Sequence, residues 1–215
     1  MSPLGELKWS APSGDHSYSS AQLSTVAGES LVLMLSNKGI ELLEPKTGAI
    51  RLSYEWKTDN YRDLQPQVID GNLILLPTGM GSGTRCIQVD KAGEQLTTEE
   101  LWTSLDLKPD FNDFVVFQGH AFGFDSAIFT CIDLTTGKRK WKGGRYGKGQ
   151  VLPAIPGGVF LAGIYWDFDL LFRKRSGHDA CLDFPVYFSG KRICPVWIAR
   201  QGRYDRSFVL MVCSS

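Results

Sequence analysis

The chain has 215 residues, enough for one large domain or two small ones with a sizeable buried core. Hydrophobic residues make up 43% of it, and its 23 glycines favour short strands joined by tight turns, which excludes a disordered or fibrous protein. Lysine plus arginine equals aspartate plus glutamate at 23 each, so the overall charge predicts neither a nucleic-acid partner nor an anionic membrane surface.

The first residues carry no basic segment followed by an apolar one, so no signal peptide is predicted in this chain. No apolar run approaches the roughly 18 residues of a membrane-spanning helix, so no membrane span is predicted. The five cysteines are odd in number and include neither an adjacent pair nor a C-x-x-C pair, so they do not predict a disulfide framework.

Three apolar segments are each divided by a two-residue turn that ends in glycine. In chain order these turns are Ala27-Gly28, Asp70-Gly71 and Gln118-Gly119. A turn of this kind between two strands predicts a β-hairpin in which both central residues take positive φ. No convincing helical periodicity interrupts these segments, so the sequence favours an all-β fold.

A second series of turns repeats with a period of about 44 residues. Its glycines are Gly5, Gly48, Gly93 and Gly137, at steps of 43, 45 and 44 residues. The clearest unit, residues 131–141, is a strand that ends in aspartate, a Thr-Gly turn and a new strand that ends in tryptophan. Each period therefore holds about four short strands, the content of one β-propeller blade.

Asp133, Thr136, Gly137 and Trp141 form the pattern Asp-x-x-Thr-Gly-x-x-x-Trp, and the other turns match it in part. Over residues 1–161 the chain resembles the pyrroloquinoline-quinone-like β-propeller repeat proteins. The resemblance implies that the tryptophan docks against the adjacent blade. It also predicts an all-β, partial β-propeller of about three to four four-stranded antiparallel blades. Such an incomplete ring leaves strand edges exposed.

The period ends after Leu161, and nothing near Cys181 reproduces the next expected turn. Residues 162–215 contain no glutamate and three of the five cysteines. We interpret them as an irregular tail, and a shifted reading frame and a degraded blade remain as alternative explanations.

Several short motifs suggest chemistry, but each has a simpler structural interpretation. Residues 79–83 form a glycine-rich loop, yet a strand and not a helix follows it, so a hairpin is favoured over a phosphate site. Residues 15–17 (Asp-His-Ser) contain the residue types of a catalytic triad without a nucleophile elbow. His120 follows a hairpin glycine and is interpreted as structural, and Cys86 and Cys131 as buried packing residues.

Two further clusters complete the candidates. His178, Cys181 and Cys194 have a spacing that fits no ordinary zinc module. Six cations between residues 138 and 148 surround Trp141 and Tyr146, which could suggest a nucleic-acid surface. We favour charges that discourage strand pairing at a sheet edge, so no nucleic-acid partner is predicted.

Quinoprotein dehydrogenases of the resembled architecture use a vicinal Cys-Cys disulfide, a stacked tryptophan, a calcium site and a catalytic aspartate. This sequence has no adjacent cysteines and no local cluster of oxygen ligands. We therefore predict no catalytic, cofactor-binding or metal-binding residue and no cofactor. Pyrroloquinoline quinone and calcium would enter only under the alternative function below.

The resemblance favours a non-catalytic repeat scaffold that binds a protein or an unidentified ligand, like the cell-envelope assembly lipoproteins that share these repeats. The alternative is a fragment of a quinoprotein dehydrogenase that oxidises an alcohol or a sugar. A periplasmic or extracellular location is expected from the resemblance alone.

Overall fold

The computed structural model describes residues 5–145, 149–154, 159–164, 167–173 and 182–187, with side chains for residues 5–143 and 149–151. The described elements are all β-strands, and each pairs antiparallel with its neighbour in sequence to give four-stranded sheets. The chain forms two compact units. The first contains Met1–Phe111 and Thr135–Lys138, and the second contains Asn112–Leu134 and Arg139–Ser215.

The first unit contains two complete sheets. The first sheet consists of β1 (Gln22–Val26), β2 (Glu29–Ser36), β3 (Gly39–Leu43) and β4 (Ile50–Glu55). The second sheet consists of β5 (Gln67–Ile69), β6 (Leu73–Thr78), β7 (Gly83–Ala92) and β8 (Gln95–Ser104). Strand β1 contacts β5, and β4 contacts β8, so like strands of the two sheets are neighbours.

The core of this unit lies between its two sheets. Leucine, isoleucine and valine side chains of the central strands are buried there: Leu31, Leu33, Leu35, Ile40, Leu42, Ile74, Leu76, Ile87 and Val89. Each such side chain contributes about 1.5–3 kcal/mol when it is removed from water. Stacked sheets in the same strand order are the packing of adjacent propeller blades.

The second unit holds two further sheets. The third sheet consists of β9 (Val115–Phe117), β10 (His120–Asp125), β11 (Ile128–Asp133) and β12 (Arg139–Arg145). The fourth consists of β13 (Gln150–Ala154), β14 (Val159–Ile164), β15 (Asp167–Arg173) and β16 (Leu182–Tyr187). A small aromatic core contains Phe122, Phe124, Phe129, Cys131 and Val151.

The predicted fold class is confirmed, because the described strands form four four-stranded antiparallel sheets with the strand order of propeller blades. Strands β14 to β16 continue past Leu161, the point at which the sequence period ends. The domain boundary at residue 161 and the two explanations for the tail stay predictions. Residues 188–215 lie outside the described residues.

The three predicted hairpins have the expected turn geometry. Ala27, Asp70 and Gln118 have φ of 49°, 50° and 46°, and the glycine after each has φ of 80°, 80° and 74°. The paired left-handed residues match the right-handed twist of the flanking strands. The local pattern in the sequence was sufficient to predict these turns.

In each of the first three sheets, the hairpin between the third and fourth strands has the same pattern of residue pairing. Leu42 pairs with Leu52, Cys86 with Trp102, and Cys131 with Trp141, and a register shift follows each of these three positions. Trp102 is thus structurally equivalent to Trp141, although it stands farther from its turn glycine in the sequence. The extra length lies in the long β7–β8 hairpin.

The predicted docking of tryptophan against a neighbouring turn occurs twice in the first unit. Trp9 donates its indole Nε1–H to the Pro45 carbonyl at 2.9 Å and lies over Gly48. A Cβ at Gly48 would lie 2.4 Å from Trp9 Cε3. At Gly137, a Cβ would lie 2.6 Å from Trp102 Cδ2. Glycine is required here for close approach as well as for positive φ.

Gly93 departs from this arrangement. Its φ of 65° fits the turn series, but a Cβ there would meet no atom within 4 Å. Strands β7 and β8 remain paired up to Ala92 and Gln95, so Gly93 lies in a two-residue turn at the tip of an extended hairpin. The regular spacing of the turn glycines therefore does not imply a tryptophan at each of them.

Replacing Gly48 by alanine tests the tryptophan contact. We expect Gly48→Ala to destabilise the chain by roughly 2–5 kcal/mol, because a left-handed alanine and a clash with Trp9 add together. Gly28→Ala is the matched control, since Gly28 has a similar φ and open space around it. It should cost only about 1–2 kcal/mol. Urea unfolding of both variants measures the difference, and equal losses would contradict the docking.

Candidate functional site

The three residues of the Asp-His-Ser segment point to different partners. Asp15 accepts hydrogen bonds from Asn37 Nδ2 and Lys38 Nζ, and the bond from Lys38 is the main cause that lowers the pKa of its carboxyl. Ser17 Oγ donates to the Leu35 carbonyl at 2.5 Å. The His16 ring packs against Tyr61 instead. This segment therefore does not form a catalytic triad.

The glycine-rich loop of residues 79–83 connects β6 to β7, which pair with each other along their length. It is a hairpin, as the sequence analysis favoured, and a strand follows it where a phosphate loop would begin a helix.

His120 donates a hydrogen bond from its Nδ1–H to the Gln118 carbonyl at 2.8 Å, so it stabilises the β9–β10 turn.

Cys86 and Cys131 are both buried, as predicted, and neither forms a disulfide. Burial raises the pKa of the Cys86 thiol to about 11, so the thiol stays protonated at neutral pH. The proposed His178, Cys181 and Cys194 cluster lies outside the described residues. Across the part of the chain that the structure describes, no group of three histidine, cysteine or acidic side chains could hold a metal ion.

The basic residues around Trp141 are partly paired with carboxylates of their own sheet. Lys140 Nζ lies 3.3 Å from Asp133 Oδ2, and Lys142 pairs with Asp125, whose side chain is almost fully buried. Both lysines lie on β12, which is an edge strand of the third sheet. This arrangement fits the interpretation of charges at a sheet edge.

The first unit has a distinctive surface at one end of its two sheets, where every second connection between consecutive strands lies. In a meander sheet, the β2–β3 and β4–β5 connections lie at the same end. Hydrogen bonds join the corresponding loops of both sheets to one another and to the segment before β1. We call this surface the loop end, and it consists of residues 15–21, 37–38, 56–66, 79–82 and 105–111.

Arg62 anchors the loop end from beneath. It lies between β4 and β5, and its side chain has no solvent exposure. Its Nε donates to Thr78 Oγ1 at 3.1 Å, at the end of β6. Its two terminal nitrogens donate to the carbonyls of Ser36, at the end of β2, and of Trp56. One guanidinium therefore joins the loop to both sheets.

Arg62 is unusual because none of its three hydrogen-bond partners is charged. Burial, and to a lesser degree the charge of Arg85, lowers its pKa to about 10, so it remains a cation at neutral pH. Both guanidiniums lie against the Trp56 ring, with Cζ at 4.8 Å from the centroid for Arg62 and 4.3 Å for Arg85. Cation–π attraction thus stabilises charges that burial disfavours.

Three aromatic rings form a row on the exposed side of the loop end. The Tyr61 ring centroid lies 5.6 Å from that of His16 and 5.4 Å from that of Tyr18, in tilted arrangements. The Tyr18 backbone N–H donates to the Arg62 carbonyl at 3.1 Å. The row is therefore tied directly to the backbone of the anchoring residue.

The β6–β7 turn is fixed to the neighbouring loop by one charged hydrogen bond. The Met80 backbone N–H donates to Asp110 Oδ1 at 2.8 Å. Both residues have positive φ, 55° and 51° respectively, which costs each of them about 1 kcal/mol or more. Asn60 reaches the same turn through a 3.1 Å bond from its Nδ2 to Ser82 Oγ.

Large apolar and aromatic side chains project from these fixed loops into solvent. They are Tyr18, Tyr61, Met80, Leu105 and Phe111, with exposures between 47% and 68%. Single exposed apolar residues are ordinary, but a concentration of them marks an interaction surface. The loop end is therefore a candidate interaction surface.

Asp63 adds an unfavourable charge to this surface. Its carboxylate is partly buried and has no hydrogen-bond or ion-pair partner among the described residues. Burial first and the charge of Asp110 second raise the pKa of Asp63 above its ordinary value of 3.8.

The sequence analysis did not identify Arg62, Tyr61 or Asp63, since no motif marks them. The sequence nevertheless contained a signal for a binding loop at this position. Residues 59–63 combine acidic, basic and aromatic side chains in a loop between two apolar strands, and loops on a rigid scaffold commonly carry binding residues.

The fold and the site define an all-β repeat protein whose candidate site is built from strand-connecting loops. No protein-family model matches the chain. No characterised protein in the curated set matches it either. Among solved structures, the chain is similar to BamB from Moraxella catarrhalis, with 12% identity and a TM-score of 0.36. The likeness covers 74% of this chain and 62% of that one, so the chain spans less than two thirds of BamB's length.

Substitution of Arg62 tests whether it joins the two sheets. We expect Arg62→Met to destabilise the first unit by about 2–5 kcal/mol, because two buried carbonyls and a hydroxyl lose their donor. Arg62→Lys should restore only part of the loss, since a lysine cannot reach three partners. Lys57→Met in the same loop is the control, expected within about 0.5 kcal/mol of wild type. Wild-type stability for Arg62→Met in urea unfolding would contradict this role.

Asp63→Asn tests the effect of the raised pKa. Because the folded chain binds this proton more tightly than the unfolded chain, the group lowers stability as pH rises through its raised pKa. We expect Asp63→Asn to raise the urea midpoint at pH 7, with a difference that shrinks as the pH falls toward 3.8, the ordinary value. Asp59→Asn, on the exposed side of the same loop, should leave the midpoint unchanged. A lower midpoint for Asp63→Asn at pH 7 would refute the assignment.

Proposed function

We propose that the chain is a non-catalytic repeat scaffold that binds another protein through its loop end. The observation that carries this proposal is the group of exposed side chains Tyr18, Tyr61, Met80, Leu105 and Phe111 on loops of fixed geometry. Loops held in place in advance lose little conformational entropy when they bind, so more of the contact energy is available for affinity.

The family resemblance in residues 1–161 adds a location to this proposal. It supports a scaffold of the bacterial cell envelope, in the periplasm or at the cell surface. The described part of the chain contains no helix that could cross a membrane. We also propose that the scaffold works without a resident cofactor.

Site-specific photo-crosslinking tests the binding surface in the producing cell. A benzoylphenylalanine at position 61 or 18 should crosslink to the same protein, whereas one at Lys46 should not. Lys46 is exposed and lies in the β3–β4 turn, at the other end of the first sheet. The crosslinked protein is then purified, and its affinity for the chain should fall about tenfold or more in a Tyr18→Ala, Tyr61→Ala variant.

Two results would overturn this proposal. One is equal crosslinking from positions 46 and 61, or undiminished affinity of the purified partner for the double variant. The other is alcohol or sugar oxidation by the chain with pyrroloquinoline quinone, calcium and a dye acceptor, which would favour the quinoprotein alternative.

A further inference from the structure

The first and second sheets meet without the tryptophan contact that two other turns of the series show. Trp102, on the fourth strand of the second sheet, lies over Gly137 in the turn of the third sheet. By the register of strand pairing, the equivalent position on the fourth strand of the first sheet is Leu52. The corresponding turn of the second sheet contains Gly93, and a Cβ placed there would meet no atom within 4 Å. The tip of the β7–β8 hairpin is therefore attached to the first sheet in another way.

Charged side chains connect this hairpin tip to the first sheet. Arg51, next to Leu52 on β4, donates a hydrogen bond from Nη2 to the Glu94 carbonyl at 2.9 Å. The same nitrogen lies 3.2 Å from both carboxylate oxygens of Glu29, at the start of β2. Lys91 Nζ, on β7, lies 2.9 Å from one of those oxygens. We call the cluster of Glu29, Arg51 and Lys91 the ionic latch, because it joins two strands of the first sheet to the hairpin of the second.

The ionic latch responds to salt, whereas a tryptophan contact does not. Its three side chains are between 21% and 39% exposed, so counterions of the solvent reach them and screen their attraction. Glu29 is shared by two cations, so its loss releases Arg51 and Lys91 together. An indole packed over a glycine is held by apolar contact and by a neutral hydrogen bond, neither of which screening weakens. The two kinds of attachment therefore differ in their dependence on ionic strength.

The hairpin tip can move without exposing the core. Residues 90–95 are all exposed, whereas Val89 and Leu96 on either side of them are buried between the two sheets. Separation of residues 90–95 from the first sheet thus costs the ionic latch and little apolar burial. Local opening of this kind requires much less free energy than unfolding of the whole unit.

We propose that the ionic latch is a salt-sensitive fastening that takes the place of tryptophan docking between the first and second sheets. When it is screened or removed, residues 90–95 separate from the first sheet while the core between the sheets stays folded. This inference goes beyond the proposed function. The β6–β7 and β7–β8 connections lie at opposite ends of a meander sheet, so the hairpin tip is far from the loop end.

Hydrogen–deuterium exchange of the full chain, read by mass spectrometry, tests this proposal. Exchange of the fragment that spans residues 89–98 is compared at about 0.02 M and about 1 M sodium chloride. We expect its amides to exchange about threefold faster or more at the higher salt concentration, because the tip opens more often. The β3–β4 turn fragment, residues 44–49, is the internal control. Its Gly48 is covered by Trp9, so its exchange should not depend on salt.

Two variants connect the opening to the ionic latch. Glu29→Gln should speed exchange of residues 89–98 at low salt by about threefold or more, and salt should then have little further effect. Arg51→Met removes the bond to the Glu94 carbonyl and should act in the same way. Glu99→Gln is the matched control, because it removes one exposed carboxylate from the same hairpin. It should exchange as wild type does.

Salt-independent exchange of the hairpin tip in the wild-type chain would overturn the inference, and so would wild-type exchange in both Glu29→Gln and Arg51→Met. Equal acceleration in fragments from the central strands β2 and β6 would also overturn it, because the whole unit would then be unfolding. Acceleration confined to residues 89–98 supports it.

Discussion

The guanidinium of Arg62 is the constraint on which the first unit's loop end depends. Its N–H groups donate hydrogen bonds to the C-terminal ends of β2 and β6 and to the loop that carries Arg62 itself. A buried cation without a charged partner is costly, and the Trp56 ring together with two carbonyls and a hydroxyl offsets that cost. Because both sheets supply acceptors, the loop can take this conformation only when the sheets are already packed.

The close contact between a tryptophan ring and a turn glycine is the corresponding constraint at the strand turns. At Gly48 and Gly137 an indole occupies the space where any Cβ would lie, so the glycine serves both the turn and the contact. Gly93 shares the backbone conformation without the contact, and it lies at the tip of the extended β7–β8 hairpin. Repeats of one length can therefore differ in how they pack.

Several unfavourable features of the first unit lie at its loop end. Met80 and Asp110 have left-handed backbone conformations, and burial together with the charge of Asp110 raises the pKa of Asp63. The buried leucine, isoleucine and valine side chains supply the stability that tolerates these costs.

The sequence by itself determined the hairpins, the turn glycines and the all-β class, because each depends on residues close together in the chain. The left-handed turns at Asp70 and Gln118 and the buried cysteines followed from local patterns. Only the tertiary structure decided that Trp102 matches Trp141, that no indole lies against Gly93, and that the buried Arg62 joins the loop that carries Tyr61 and Asp63 to both sheets. Those relations join residues from different strands and loops, and their partners are chosen by packing, which no local pattern records.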